Sequence, residues 1–198
     1  MRVIAGKAKG HQLKVPKTEM VRPATDLVRG AIFSILESMA TDWSRVADFY
    51  SGSGAMGIEA LSRGADFADF VDRQQLCCDI IRQNLSKTKL EGQAHVYCCG
   101  VTKAISFLKG EYGIIIMDPP YANTVIGDVI TQLAESELIG EKTVVIVTHS
   151  SRFALKPNYG ALNMVKEHRH GDSSIAVYKK EAQLCHLSSL STPVASIQ

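Results

Sequence analysis

Apolar and polar positions alternate along the chain between the period of a helix and the short runs typical of buried strands. From Leu27 to Met39 the apolar residues recur at helical spacing, and Thr25 or Asp26 before them is a natural N-cap. The spacing therefore predicts a helix that begins near 26 and ends near 39.

After this helix the pattern switches repeatedly between strand and helix. Strands are predicted at 45–50, 67–72, 95–99, 113–118, 143–148, 162–168 and 174–179. Helices are predicted to end near 63 and to span 76–87, 103–108 and 125–133. Repeated β-α units predict an α/β fold, in which a seven-stranded, mostly parallel sheet has an antiparallel closing strand and helices on both faces.

The two ends of the chain depart from this alternation. Two short β-prone runs flank a Gly-Lys-Ala-Lys-Gly stretch, which predicts a basic N-terminal β-hairpin extension over 1–21. The main domain is expected over 22–182. The stretch 183–198 is rich in Ser, Thr and Ala and has no periodicity, so we expect a disordered tail.

Composition is that of a soluble globular protein, with 198 residues of which 45% are hydrophobic and 21% charged. No apolar run approaches the ~18 residues that a membrane span needs, and charges stand where a signal peptide would be apolar, so we expect a cytoplasmic protein without a membrane partner. The net charge of +2 conceals an asymmetry: residues 1–29 carry +5 and the remainder −3. This pattern is typical either of a nucleic-acid-binding arm or of a solvated Lys-rich hairpin.

The five cysteines indicate neither a disulfide framework nor a metal site. They are odd in number and lack C-x-x-C spacing: Cys77, Cys78, Cys98, Cys99 and Cys185. We expect them to be buried small hydrophobes in a reducing compartment, and we expect no bound metal.

A glycine loop and two acidic residues indicate a nucleotide-like ligand. Gly52-x-Gly54-x-x-Gly57 lies between a predicted strand and helix, and Asp72 ends the next strand, where a carboxylate can bind two ribose hydroxyls. This arrangement matches a dinucleotide site as well as one for S-adenosylmethionine (AdoMet). Asp48 favours AdoMet, because an acid before the loop can pair with the ammonium of its methionine end and would be unfavourable beside a pyrophosphate.

The most informative stretch is Asp118-Pro119-Pro120-Tyr121, at the carboxyl end of an apolar strand where open α/β sheets bind ligands. An exocyclic base amine is a poor nucleophile because its lone pair is delocalised into the ring. If the Asp118 carboxylate and the Pro119 carbonyl accept its two hydrogens, the nitrogen becomes more nearly tetrahedral. Prolines fix the loop and remove competing N–H donors, and Tyr121 can stack on a base turned out of its helix. These features favour methyl transfer to a planar NH₂ group.

Six segments resemble the RsmD family of bacterial 16S rRNA (guanine-N2) methyltransferases. In order, they are Met1-Arg-Val-Ile-Ala-Gly-Lys, Leu13-Lys-Val-Pro16, Arg22-Pro-Ala-Thr-Asp26, Gly52-Ser-Gly-Ala-Met-Gly-Ile-Glu-Ala-Leu-Ser-Arg-Gly-Ala65, Asp118-Pro-Pro-Tyr121 and Arg169-His-Gly-Asp172. The resemblance implies a Rossmann-like AdoMet-dependent methyltransferase fold, AdoMet as cofactor, and a monomer that methylates one guanine N2 in 16S rRNA of the small ribosomal subunit or its assembly intermediate.

The resemblance also implies the roles of individual residues. Catalytic contacts are expected from Asp118, Pro119, Pro120 and Tyr121. The cofactor is expected to contact Asp48, Tyr50, Ser51, Gly52, Ser53, Gly54, Asp72, Arg73, Lys103 and Asp118. The RNA is expected to contact Lys7, Lys9, Lys14, Lys17, Arg22 and Thr25. The chain departs from the usual family pattern at four places: Tyr50-Ser51, where the family has Phe-Ala; Ala24, where it has Thr; Lys103, where it has Asp or Asn; and Thr148, where it has Glu.

Three other functions fit parts of the pattern. The same chemistry serves adenine N6 in DNA or RNA, or a protein glutamine amide, because each presents a planar NH₂. A non-catalytic RNA-binding assembly factor could keep the fold. A nicotinamide-dependent oxidoreductase fits worst, because its chemistry has no use for Asp118-Pro-Pro-Tyr121.

Overall fold

A computed structural model describes residues 1–16, 25–120 and 125–180. Its helices are α1 (Asp26–Met39), α2 (Ala55–Ser62), α3 (Gln75–Thr88), α4 (Val101–Phe107) and α5 (Ile126–Ala134), with a 3₁₀ turn at Glu91–Gln93. Its strands are β1 (Arg45–Phe49), β2 (Phe67–Asp72), β3 (Ala94–Cys98), β4 (Tyr112–Met117), β5 (Ile139–Ser150), β6 (Asn158–Tyr159), β7 (Leu162–His170) and β8 (Ser173–Lys180). The predicted order of helices and strands is confirmed, and Thr25 is the N-cap of α1.

The strands form one sheet in the order β3-β2-β1-β4-β5-β8-β7-β6. The first five of these strands pair in parallel, and β8, β7 and β6 add antiparallel. The sheet therefore has eight strands where the sequence predicted seven. The additional strand, β6, is only two residues long, too short to produce a recognisable alternation of apolar and polar positions.

Helices cover both faces of the sheet, as predicted. One apolar core packs α1, α2 and α3 on the face that carries Phe70 and Ile116. The other packs α4 and α5 on the face that carries Val71 and Ile115. Because β1 is central and has β2 and β4 as neighbours, the carboxyl ends of these three strands form one edge between the two helical layers.

Residues 1–16, called the arm below, fold back on themselves against α2. The arm contains one antiparallel bridge, between Arg2 and Gln12, in place of a longer ladder. The fully buried carboxylate of Glu59 anchors it by accepting the N–H groups of Ile4 at 2.7 Å and Ala5 at 2.9 Å. The arm therefore packs against α2, and the predicted tail 183–198 is outside the described residues.

The cysteine prediction holds for one pair and is wrong for the other. Cys77 and Cys78, on α3, are buried, whereas Cys98 is exposed and Cys99 is partly exposed. Cys98 ends β3, which is the outermost parallel strand and has solvent along one side. Cys185 is outside the described residues.

Within the described ranges, none of the helices combines the length and apolar character that crossing a membrane would require. The same ranges contain no group of three or more His, Cys, Asp or Glu side chains arranged to hold a metal ion.

Candidate active site

Three carboxylates meet at the carboxyl edge of the parallel strands. Asp48 pairs in register with Phe70 of β2 and Ile116 of β4, and Asp72 and Asp118 lie two residues beyond these partners. Side chains two residues apart on a strand share a face, so all three acids are directed to the side of the sheet that α2 covers. The structure thus brings together the acids of the predicted cofactor and catalytic sites.

The glycine loop between β1 and α2 has a left-handed backbone conformation that glycine adopts readily. Gly52 has φ 55° and Gly54, the N-cap of α2, has φ 76°. Tyr50 also adopts positive φ, 62°, which is uncommon for a residue with a side chain. Gly57 serves packing, because a Cβ there would lie 2.3 Å from Cε1 of the Phe70 ring. The chain therefore turns sharply at the point where a ligand would approach its backbone.

Asp48 is a buried carboxylate without a cationic partner among the described residues. Its Oδ2 accepts the Gly57 N–H at 2.9 Å, and the residue is 1% exposed. Burial raises the pKa of this carboxyl well above its usual value, and repulsion from Asp118 and Asp72 raises the pKa further, whereas the Gly57 hydrogen bond opposes the shift. Such a site favours a positively charged group, which would relieve both the desolvation and the repulsion.

Asp72 is held by the backbone at the end of β2. Its Oδ2 accepts the Gly52 N–H at 2.9 Å and its Oδ1 the Gln74 N–H at 2.8 Å. Each carboxylate oxygen can accept a second hydrogen bond. Asp72 therefore has the fixed orientation and the spare acceptor capacity that binding of ribose hydroxyls needs.

The two serines of the loop have internal partners. The Ser51 hydroxyl shares its one hydrogen between the carbonyl oxygens of Asp48 and Val71 and accepts the Val71 N–H, and these contacts join β1 to β2. The Ser53 hydroxyl lies 3.8 Å from the Met1 sulfur. Both serines are buried, so a cofactor contact from Ser51 would come from its backbone.

At the predicted catalytic motif, Asp118 directly follows β4 and is half-buried. Burial of its carboxyl raises the pKa, and a hydrogen bond from the Thr148 hydroxyl to Oδ1 opposes that rise. Pro119 is buried and Pro120 exposed, while Tyr121 is outside the described residues. The described part of the motif thus presents one carboxylate followed by two residues without N–H groups.

Two further predicted cofactor residues lie on exposed positions nearby. Arg73 directly follows Asp72. Lys103 is in the first turn of α4, which begins just after the carboxyl end of β3. Both are therefore on the correct edge of the sheet for a ligand that extends from Asp72 towards β3.

The arm lysines are divided between opposite edges of the sheet. Lys14 is held at the glycine loop by Asn84, which accepts the Lys14 N–H at 2.8 Å and donates to the carbonyls of Lys14 and Ser53, each at 2.9 Å. Lys7 instead donates at 2.6 Å to Gln93, the residue before β3, and so lies at the amino edge. Lys9 shares the Lys7 turn.

Of the remaining predicted RNA contacts, Thr25 is the one within the described residues. The exposed Thr25 uses its hydroxyl to accept the Val28 N–H at 3.3 Å as the cap of α1. Lys17 and Arg22 are outside the described residues.

Sequence reasoning missed the contributions of Glu59 and Asn84. Glu59 is the one charged residue of α2, a mainly apolar helix, and this was a signal, because a fully buried acid requires hydrogen-bond partners. Asn84 is fully buried within α3, and its two partners lie 31 and 70 residues away in the chain. Nothing in the local sequence could have identified these partners.

Comparisons with known proteins find relatives that match most of the chain. YlbH of Bacillus subtilis (strain 168) is 34% identical over 183 residues, covering 91% of this chain and 99% of YlbH. Ribosomal RNA small subunit methyltransferase D of Escherichia coli (strain K12) is 30% identical over 186 residues, covering 92% of this chain and 91% of the relative. The solved structure of E. coli yhhF is similar with a TM-score of 0.80 at 27% identity, covering 92% of this chain and 99% of that one.

A family model described as "Conserved hypothetical protein 95" matches residues 1–179. This match includes the arm, the glycine loop and Asp118-Pro-Pro-Tyr121. The chain therefore belongs to the Conserved hypothetical protein 95 family, the RsmD family that its motifs resemble.

Proposed function

We propose that this protein is an AdoMet-dependent rRNA methyltransferase that modifies the exocyclic N2 of a guanine in 16S rRNA of the small ribosomal subunit. The observation that carries the proposal is the juxtaposition of Asp118 with Asp48 and Asp72 at one edge of the sheet. The E. coli relative is named as a small-subunit rRNA methyltransferase, which supports the RNA class. We further expect a monomer that acts in the cytoplasm.

The described residues fit AdoMet. Asp48 would pair with the ammonium group of its methionine end, since this buried carboxylate gains most from a cation. Asp72 would accept the ribose hydroxyls, and Gly52 and Gly54 would let the ligand approach the backbone closely. When bound, AdoMet supplies an electrophilic methyl group on a sulfonium. Lys103 and Arg73 would lie towards its adenosine end.

The target amine would be held by Asp118 and Pro119. The carboxylate would accept one amine hydrogen and the Pro119 carbonyl the other, which turns the nitrogen lone pair out of conjugation with the ring. As the N–C bond forms, the bond between the methyl group and the sulfonium sulfur would break and leave a neutral thioether, and the same carboxylate would receive the proton that the nitrogen loses. Pro120 keeps the loop rigid, and we assign Tyr121 to stacking on the flipped base. Rate enhancement would come from positioning and from fixed charge.

The arm would bind RNA phosphates over a long footprint. Lys14 is held at the glycine loop on the catalytic edge, whereas Lys7 and Lys9 lie at the other edge. A five-residue strand spans roughly 17 Å. RNA that contacts all three lysines must therefore extend along the flank of α2 and α3. We assign Lys17 and Arg22 to the same footprint. Such contacts supply affinity and salt dependence rather than sequence choice.

The test is label transfer from methyl-labelled AdoMet to small subunits that lack the modification, with naked 16S rRNA and DNA in parallel. We expect label in the small-subunit RNA, and loss of that label with Asp118→Ala while AdoMet binding stays near the wild-type level. Label in DNA or protein alone would favour an adenine or glutamine acceptor. No transfer despite cofactor binding would favour an RNA-binding assembly factor.

A separate variant tests the arm. Neutralising Lys7, Lys9 and Lys14 together should weaken RNA binding and flatten its dependence on salt. A variant with the same salt slope as the wild type would show that the arm is merely a solvated hairpin.

A further inference from the structure

Thr148 is 30 residues from Asp118 in the chain and contacts it only in the folded protein. The parallel pairing of β4 with β5 places Met117 beside Val147, so the next residues, Asp118 and Thr148, are neighbours across the two strands. Thr148 is 1% exposed, and its hydroxyl donates to Asp118 Oδ1. This polar side chain is therefore buried at the catalytic edge and hydrogen-bonded to the catalytic carboxylate.

The described backbone next to Asp118 supplies no such donor. The Asp118 N–H is directed to the Phe49 carbonyl at 3.4 Å, and Pro119 and Pro120 have no N–H. A carboxylate rotates about its Cβ–Cγ bond unless a donor fixes its plane. A donor from the next strand, which is itself rigid within the sheet, meets this requirement.

We propose that Thr148 is a positioning residue for Asp118: its hydroxyl holds the carboxylate in the orientation that accepts the hydrogen of the target amine. This inference rests on the proposed methyltransferase function. It assigns a role to a position at which the chain departs from the usual pattern of its family.

Because Asp118 has acidic neighbours, its hydrogen bond from Thr148 matters for keeping the carboxylate ionised. Among the described residues, Asp48 and, beyond it, Asp72 face Asp118 from the neighbouring strands, and both are acids. His149 points to the opposite face of β5, where its Nε2 lies 3.1 Å from Glu167 Oε1. Burial raises the pKa of Asp118 and the Thr148 hydrogen bond lowers it, so loss of the hydroxyl should raise that pKa. A protonated Asp118 has lost acceptor capacity and cannot take the proton from the amine.

The experiment compares Thr148→Val, Thr148→Ser and Thr143→Val in full-length protein. Thr143 is an internal control because it lies on the same strand and is equally buried, but its hydroxyl donates to the Tyr112 carbonyl at 2.6 Å, at the far edge of the sheet. For Thr148→Val we expect kcat to fall roughly 10- to 100-fold, the effect of removing one hydrogen bond to a charged group. We expect its KM for RNA and its AdoMet Kd to stay within about 2-fold of wild type, and the acid limb of its kcat–pH profile to move to higher pH.

Thr148→Ser should restore kcat to within about 3-fold of wild type, because it keeps the donor. Thr143→Val should keep the wild-type kcat and pH profile even if it is less stable. Equal losses in both Val variants, or no rescue by Ser, would overturn the proposal.

A readout without RNA separates this inference from the proposed function. The ¹³C carboxyl resonance of Asp118, assigned with Asp118→Asn, should titrate at higher pH in Thr148→Val than in wild type and Thr143→Val. If wild-type protein transfers no methyl group, this titration still decides whether Thr148 controls Asp118. An unchanged midpoint would overturn the positioning role whatever the acceptor is.

Discussion

Replacing Asp48 with Asn should have opposite effects on the unliganded protein and on cofactor binding. Asp48 is buried at the end of β1, has acidic neighbours in Asp72 and Asp118, and is stabilised by a hydrogen bond from Gly57 at 2.9 Å. Asn keeps an oxygen that can accept this bond but carries no charge. The substitution therefore removes repulsion and desolvation from the unliganded site and removes the partner of the ammonium group.

The magnitude follows from the hydrogen bond and ion pair that would be lost. A buried hydrogen bond to a charged group contributes about 1.5–3 kcal/mol, and breaking a buried pair costs at least as much. We therefore expect the AdoMet Kd of Asp48→Asn to rise roughly 10- to 150-fold. The unliganded variant should unfold at an equal or higher urea midpoint than wild type at pH 7.5.

The pH dependence of stability and of AdoMet affinity tests the pairing of Asp48 with the ammonium group independently. Because the pKa of Asp48 is raised in the folded protein, its contribution to stability is greatest below the pKa of the unfolded chain and declines as pH rises through the folded value. A bound cation would lower this pKa again. Cofactor binding should therefore release protons, and affinity should increase with pH until Asp48 is ionised in the free protein.

The assay is isothermal titration of AdoMet between pH 5 and 7, in two buffers with different ionisation enthalpies. In this range the ammonium of the ligand stays largely protonated. We expect proton release and rising affinity for wild type, and neither for Asp48→Asn. Wild-type affinity that is flat over this range, or an Asn variant that binds as tightly as wild type, would refute the pairing of Asp48 with the ammonium group.

Two predictions concern packing and thiol chemistry. In urea titrations, Gly57→Ala should lower the free energy of unfolding by about 1–3 kcal/mol, because its Cβ would lie 2.3 Å from the Phe70 ring. Gly92→Ala should change the free energy of unfolding little, because its Cβ would have nothing within 4 Å. Equal effects of the two substitutions would contradict the packing argument. Exposed Cys98 should react with a maleimide before Cys78, because burial raises the pKa of Cys78 to about 12; peptide mapping by mass spectrometry that finds Cys78 labelled first would contradict this order.

The sequence predicted most of the fold because the parallel sheet is buried on both faces. Its strands are continuous apolar runs, such as Gly113–Met117, and its helices carry clear caps and stripes, such as the Thr25 cap of α1. The signal is absent where an element is very short, as in β6, or lies at an edge, as with Cys98 on β3. Hydrophobic patterning indicates which residues are buried. It does not show which strands lie at the edges of the sheet, as β6 and β3 do.

Part of the candidate site was also predictable. Strand ends gather at one edge in any parallel sheet, so Asp48, Asp72 and Asp118 could be grouped from their positions alone. The division of the arm between two edges, with Lys7 far from the catalytic edge, depends on how the arm docks on α2. Likewise, the bond from Thr148 to Asp118 depends on strand register across 30 residues. Local sequence carries no record of either.

Nucleoside analysis of methylated RNA tests the central claim most directly. Small subunits that lack the modification would be incubated with the protein and methyl-labelled AdoMet, and their 16S rRNA digested and resolved by liquid chromatography and mass spectrometry. We predict that the label appears in N2-methylguanosine and is absent with Asp118→Ala. Label in another nucleoside, or none in 16S rRNA from any form of the subunit, would contradict the proposed function.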